Sequence, residues 1–170
     1  MTELVVEGLT RHFRSGGGWF APERVVRAVQ DISFTVAPGE MLGLVGESGC
    51  GKSTTAKLIL GLMPATAGSV TFDGVPISPK LDQAWRQRRA EMQMIYQDPL
   101  AALDRRLPVA RQIGEPLEIH SPEMPAPERA ERVAEVMAQV GLLAHHGARY
   151  PHELSGGQRQ RVVIARALVV

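Results

Sequence analysis

The sequence has a single cysteine, Cys50, so no internal disulfide can hold it together. Its formal charge is only +1, which gives composition no argument for nucleic acid or anionic lipid as a partner. No apolar stretch approaches the length needed to span a bilayer. The first eight residues carry two glutamates and no basic segment, unlike a signal peptide. These absences predict an intracellular protein whose membrane role, if it has one, comes through a partner. A metal centre is not expected: His145 and His146 are adjacent, with no third ligand at metal spacing, and are read as surface histidines. What remains is ordinary for a globular chain of 170 residues, with 44% hydrophobic and 22% charged residues.

Residues 46–54 read Gly-Glu-Ser-Gly-Cys-Gly-Lys-Ser-Thr. They fit G-x-x-x-x-G-K-[ST], with Gly46, Gly51, Lys52 and Ser53 on the fixed positions. The apolar run 41–45 precedes the motif at strand length, and residues 55–62 follow with apolar residues at helical spacing. Strand, glycine loop and helix form the context in which the motif binds phosphate. Glycines let the backbone approach a ligand closely. The loop N–H groups form an anion nest, and the helix adds its positive end. Lys52 then meets the outer phosphates and the Ser53 hydroxyl can hold Mg2+. Cys50 is read as a small loop filler.

The remaining elements follow from local signals. Strands are expected at Leu4–Glu7, Ile32–Val36 and Ser69–Asp73, with an Asp73-Gly74 turn. Residues 11–27, with three consecutive glycines and then Trp19-Phe20, read as a mobile loop. Phe13, Trp19 and Phe20 are open to two readings, stacking on a base or packing. Leu81–Ala90 reads as a helix whose arginines 86, 88 and 89 form a solvated face. Glu91–Tyr96 reads as a strand that Pro99 ends, leaving Gln97 at its C-terminal edge. A short helix is expected at Pro108–Ile113, and a second at Glu128–Val140 with Ala130, Val133, Ala134, Met137 and Val140 on its buried face.

Near the end stands Leu154-Ser155-Gly156-Gly157-Gln158. Ser155 with Gln158 three residues later is a capping box, which starts a helix at Ser155. Two glycines in a first helical turn weaken the helix. They make sense where a second anion must approach bare N–H groups.

Together these motifs resemble the ATP-binding subunit of an ATP-binding cassette (ABC) transporter, over essentially the whole chain. Gly46 to Thr54, including Glu47, Ser48, Gly49 and Cys50, resembles the Walker A loop; Gln97 resembles the Q-loop glutamine; and Leu154 to Gln158 resembles the family signature. The glycine-aromatic insert before Arg27, the run Gln97-Asp98-Pro99-Leu100 and the run Tyr150-Pro151-His152-Glu153 are similar to ATPases of bacterial dipeptide, oligopeptide and nickel importers. Residues 100–106 are a loose version of that subfamily's SLNPR stretch.

The resemblance implies an α/β P-loop core of ABC type, with an antiparallel β subdomain, a helical signature subdomain and an incomplete sheet. Its implied segments are 1–45, 46–97, 98–153 and 154–170. It implies a head-to-tail dimer with a second ABC ATPase subunit, ATP lying between the Walker A loop of one and the signature of the other. Ser155, Gly156, Gly157 and Gln158 would serve the nucleotide of the opposite subunit, Gln97 the Mg2+ and attacking water, and Phe13 the adenine. It further implies transmembrane permease subunits meeting residues near 98–115, an extracytoplasmic solute-binding protein acting indirectly, and a place on the cytoplasmic face of the inner membrane.

The family also uses a Walker B strand ending in Asp-Glu and a switch histidine, which normally follow the position where these 170 residues stop. The chain ends on an uncapped apolar run and is read as truncated. Without those carboxylates, no ATP turnover is expected of this stretch alone, and a marginal, aggregation-prone fold is expected. Alternatives are an ABC-type ATPase acting in DNA repair or translation, a bare nucleotide-binding module, or another P-loop class. Against the second ABC role, no zinc, coiled-coil or tandem-cassette insertion is visible. Against another P-loop class, a guanine-reading Asn-Lys-x-Asp is absent.

Overall fold

The computed structural model describes residues 3–16, 24–77 and 88–170. They fall into two compact units, Met1–Trp85 and Arg86–Val170. Trp19, Phe20 and most of the Leu81–Ala90 helix expectation lie outside the described residues.

The first unit is built on two long strands, β1 (Leu4–Ser15) and β2 (Arg24–Val36). They pair antiparallel from Leu4↔Val36 to Phe13↔Val26 and Ser15↔Arg24. The stretch expected to be a loop therefore carries ladder hydrogen bonds on both sides of its glycines. The sequence alone hides this, because the partners, from Ser15↔Arg24 to Arg11↔Val29, lie across the glycine stretch rather than in each strand's own neighbourhood. The pairing is irregular between Val6 and His12. Gly8 sits there at φ 56° and donates its N–H to Ser33 Oγ at 2.8 Å. That extra backbone breaks the simple alternation and turns both Val6 and Leu9 into the core.

After β2 the chain passes through the glycine loop into α1 (Lys52–Ile59), then β3 (Ala67–Phe72) and β4 (Val75–Pro76). The sheet order is β2-β1-β3-β4, antiparallel throughout. Asp73 and Gly74 both have positive φ, as a two-residue hairpin turn of this hand requires. Val6, Leu9, Val29 and Val70 form the core together with Leu58 of α1. Each such side chain contributes about 1.5–3 kcal/mol by leaving water.

The apolar run 41–45 does not form a strand among the described residues. Met41 is 95% exposed and Val45 91%. Such a run suits a strand covered on both faces; here no neighbouring strand pairs with it, so it stays extended and bare. The run 91–96 likewise forms no strand, with Ile95 and Tyr96 exposed.

The second unit is helical: α2 (Pro99–Ala102), α3 (Val109–His120), α4 (Ala126–Gln139) and α5 (Gly156–Leu168), with 3-10 turns at Arg89–Glu91, Ala144–Ala148 and Pro151–Glu153. Its core joins Val109, Ile113 and Leu117 of α3 to Val136 and Met137 of α4 and Val162 and Val163 of α5. Helix α3 runs two turns beyond the expected Ile113, straight through Pro116. Proline removes one helical hydrogen bond, but the i, i+4 series Val109–Ile113–Leu117 stays buried, and that burial outweighs the loss. A side chain at Gly114 would press on Val133 Cγ2, so glycine lets α4 approach closely. The buried face of α4 is rotated from the expected one: Val133, Val136 and Met137 are buried, whereas Ala130 and Ala134 are exposed. Alanines satisfy either side of a helix, so counting them as apolar misplaced the stripe.

Candidate nucleotide site

The glycine loop is held at both ends within the first unit. Gly51, at φ 101°, is the residue before α1, and a Cβ there would collide with the carbonyl oxygen of Ala28 in β2. Only glycine fits that approach. Thr55, buried, clamps the same turn by donating both its N–H (2.8 Å) and its hydroxyl (3.1 Å) to Gly51 O. At the far end a Cβ on Gly46 would press on Cys50 Sγ. Cys50 is exposed, with its Sγ between Gly46 and the Lys52 ammonium.

Lys52 folds back over the loop. Its ammonium donates to Gly46 O at 2.7 Å and Glu47 O at 2.6 Å, with Cys50 Sγ at 3.5 Å. The cation thus sits at the loop mouth, held by two neutral carbonyls that a charged phosphate oxygen would outcompete. The N–H groups opening α1 have no carbonyl of their own helix to take them. No acidic residue occupies the first turn of α1 to repel an anion. Glu47, Ser48, Gly49 and Ser53 are exposed. This donor set, one cation with a ring of backbone N–H groups and a free hydroxyl, fits a polyphosphate with a divalent cation.

Phe13 lies in β1, opposite Val26, and the Arg11 guanidinium covers one face of its ring at 4.7 Å. Arg11 is itself anchored by donating to Pro64 O at 2.8 Å.

In the second unit Ser155 caps α5. Its Oγ accepts from Gln158 N at 3.2 Å, and Gln158 Oε1 accepts from Ser155 N at 2.9 Å. The reciprocal box expected from the sequence is present. A Cβ added at Gly156 or Gly157 would meet nothing within 4 Å. Among the described residues, no packing explains the pair. Gln97 is exposed in a bend just before α2, whose N-cap Asp98 accepts from Leu100 N at 2.9 Å. The structure thus gathers Gly46–Thr54 in the first unit, and Gln97 and the Ser155–Gln158 start in the second.

The second unit also carries an open groove of about 670 Å3, lined by residues 101–107 together with Gln112, Glu115 and Arg166. Arg166 reaches back from α5 to donate to Ala102 O at 2.8 Å and to Glu115 at 2.5 Å. Asp104 accepts the Arg106 guanidinium and backbone N–H, which lowers its pKa from 3.8 to about 2. Asp104 therefore keeps its charge down to about pH 2.

His146 corrects the expectation of a surface histidine. It is only 6% exposed, in the 3-10 turn before the signature. Leu143 N donates to its Nδ1 at 2.9 Å, and its Nε2 lies 3.2 Å from Gln158 Nε2. Burial first, and then the neighbouring His145 and Arg149, push its pKa below the ordinary 6.5. A twelve-residue separation with no periodicity hid this contact from sequence reasoning. Among the described residues no cluster of three or more His, Cys, Asp or Glu could hold a metal ion, and no helix is long and apolar enough to cross a membrane.

The fold has counterparts among known proteins. The chain is 45% identical, over 98% of its length, to the oligopeptide transport ATP-binding protein OppF of Escherichia coli (strain K12), and 48% identical over 100% to OppF of Bacillus subtilis (strain 168). It covers 51% and 55% of those proteins, so it spans about half their length. It is 50% identical over 86% of its length to the glutathione import ATP-binding protein GsiA of Pectobacterium atrosepticum, covering 23% of that protein. Among solved structures it superposes with TM-score 0.85 on the dimeric post-hydrolysis ATP-binding cassette MJ0796 bound to ADP and Pi, at 27% identity, covering 98% of this chain and 69% of that one. The expected α/β cassette fold is thereby borne out, with its sheet open in this chain. A family model described as ABC transporter matches residues 29–170, and the chain belongs to that family.

Proposed function

We propose that this chain is the nucleotide-binding part of an ATP-binding subunit that energises a bacterial importer of di- or oligopeptides by ATP-driven dimerisation and hydrolysis. The observation that carries the reading is the pair of helix starts opened by glycine, at Gly51–Lys52 and at Ser155–Gly157, the second facing open space. One chain cannot explain a bare pair of glycines; a nucleotide held by another subunit can. The 45–50% identity to peptide and glutathione import proteins supports the solute class.

In this reading the N–H groups of residues 46–54 cradle the phosphates of ATP. Lys52 exchanges its two loop carbonyls for phosphate oxygens. Ser53 of the first unit, and Gln97 of the second, would be the ligands offered to Mg2+, which would neutralise phosphate charge when bound. Phe13 offers adenine the ring face that Arg11 leaves open. Ser155, Gly156 and Gly157 bring a second set of N–H donors to the γ-phosphate of the partner subunit's nucleotide, and Gln158 holds Ser155 in place. The groove at residues 101–107 receives the permease, which puts the subunit at the cytoplasmic face of the inner membrane. The solute-binding protein acts only through that permease.

The test uses the full-length protein with its permease. Lys52→Ala should weaken ATP binding by at least about tenfold, since two charge-assisted contacts to phosphate go. Gly157→Asp should leave ATP binding intact and abolish peptide uptake, because a carboxylate then faces the partner's phosphate. Wild-type uptake by Gly157→Asp would overturn the reading.

A further inference from the structure

The signature's cap is not self-contained. Gln158 holds Ser155 through its Oε1 and its own backbone N–H, and its amide also abuts the buried ring of His146. His146 in turn is fixed by Leu143 N–H on Nδ1. An Nδ1 that accepts a hydrogen bond leaves the ring proton of a neutral imidazole on Nε2. That N–H faces the Gln158 amide, whose nearest atom is its own donor Nε2 at 3.2 Å, so a hydrogen bond forms only when the amide turns its Oε1 toward the ring. The ring is buried, and the 3-10 turn that carries it is packed under α3 and α4: a Cβ at Gly147 would touch Ala110 and Met137. The neighbouring His145 ring stands 4.3 Å away, centroid to centroid.

We propose that His146 is a positioning residue for the signature. With a turn about the terminal torsion of Gln158, the His146 Nε2–H bonds the Gln158 amide oxygen, which keeps accepting from Ser155 N–H on its second lone pair. A carbonyl oxygen takes two such bonds, and the terminal amide torsion of glutamine is soft enough to share it. The chain Leu143 N–H, His146, Gln158, Ser155 then ties the start of α5 to the helical core. It sets the direction in which the Gly156 and Gly157 N–H groups point. This inference rests on the reading of that helix start as the γ-phosphate contact of a partner subunit.

Two substitutions separate positioning from packing. In His146→Asn the amide oxygen takes the place of Nδ1 and keeps the Leu143 bond, but the side chain is too short to reach Gln158. In His146→Gln the amide N–H takes the place of Nε2 and does reach it. In the full-length subunit assembled with its partners, His146→Asn should lower the ATP turnover rate roughly tenfold, the loss of about one hydrogen bond to a positioned group. Its ATP affinity, set at the glycine loop, should stay at the wild-type value. His146→Gln should restore turnover to within about twofold. In a Gln158→Ala background, His146→Asn should have no further effect, since the route is already cut. Full turnover in His146→Asn, failure of His146→Gln to rescue, or additive losses in the double variant would each overturn the proposal. Gly157→Asp is the control: if it too turns over ATP normally, the sandwich reading falls, and this inference with it.

Discussion

His146 shows how one side chain can make a local structure sensitive to pH. Burial, with help from the charges of His145 and Arg149, holds its pKa below 6.5 in the folded chain. The unfolded chain takes up a proton at about the ordinary value. Below about pH 6.5 the unfolded state therefore binds more protons than the folded one, and stability rises with pH through that window. Acidification from pH 7 to pH 5 should lower the urea midpoint of the full-length protein, and His146→Asn should flatten that dependence. An equally steep pH profile in the variant would show that other groups carry it. Gly51 is the opposite sort of residue, with no charge and no rotamer. Its whole contribution is a missing Cβ beside the Ala28 carbonyl, and that absence lets α1 begin where the loop ends.

The elements differ in what holds them. Helix α3 carries a proline and a glycine and would be weak alone, yet Val109 and Ile113 are fully buried. Ile113→Ala should cost about 2–5 kcal/mol, the range for deleting a large aliphatic side chain from a packed core. Denaturant unfolding monitored on the helical unit reads this directly, and a loss under about 1 kcal/mol would mean the site collapses around the gap. Elements written in adjacent residues were legible beforehand: the glycine loop and its helix, the Asp73-Gly74 hairpin, and the Ser155–Gln158 box. Elements that depend on distant partners were not. The ladder of β1 and β2 runs to Ser15 and Arg24 through a stretch that reads as loop. The run 41–45 reads as a strand but finds nothing to pair with. Pattern reports what a segment can do; pairing decides whether it does.

At the scale of the molecule there are two cores. One is a sheet packed against α1, around Leu9 and Leu58; the other is a helical cluster around Ile113 and Val136. The proposed phosphate contacts are divided along the same line, with Lys52 and the glycine loop in the first unit and the capped glycine pair in the second. The site was legible in the same uneven way. Its motif residues could be named from spacing, while the support beneath them, Thr55 under Gly51 and His146 under Gln158, came only from three dimensions.

The bare ribbon at Met41–Val45 has a last consequence, for handling rather than for catalysis. Greasy, uncharged and open along its hydrogen-bonding edges, it is a template that a neighbouring molecule's identical ribbon can lie against. Concentrating the 170-residue polypeptide should therefore produce thioflavin-positive particles whose onset steepens with concentration, and a lysine in place of Val45 should delay them. Clear solutions at high concentration, scattering no more light than the lysine variant, would show that the ribbon is shielded.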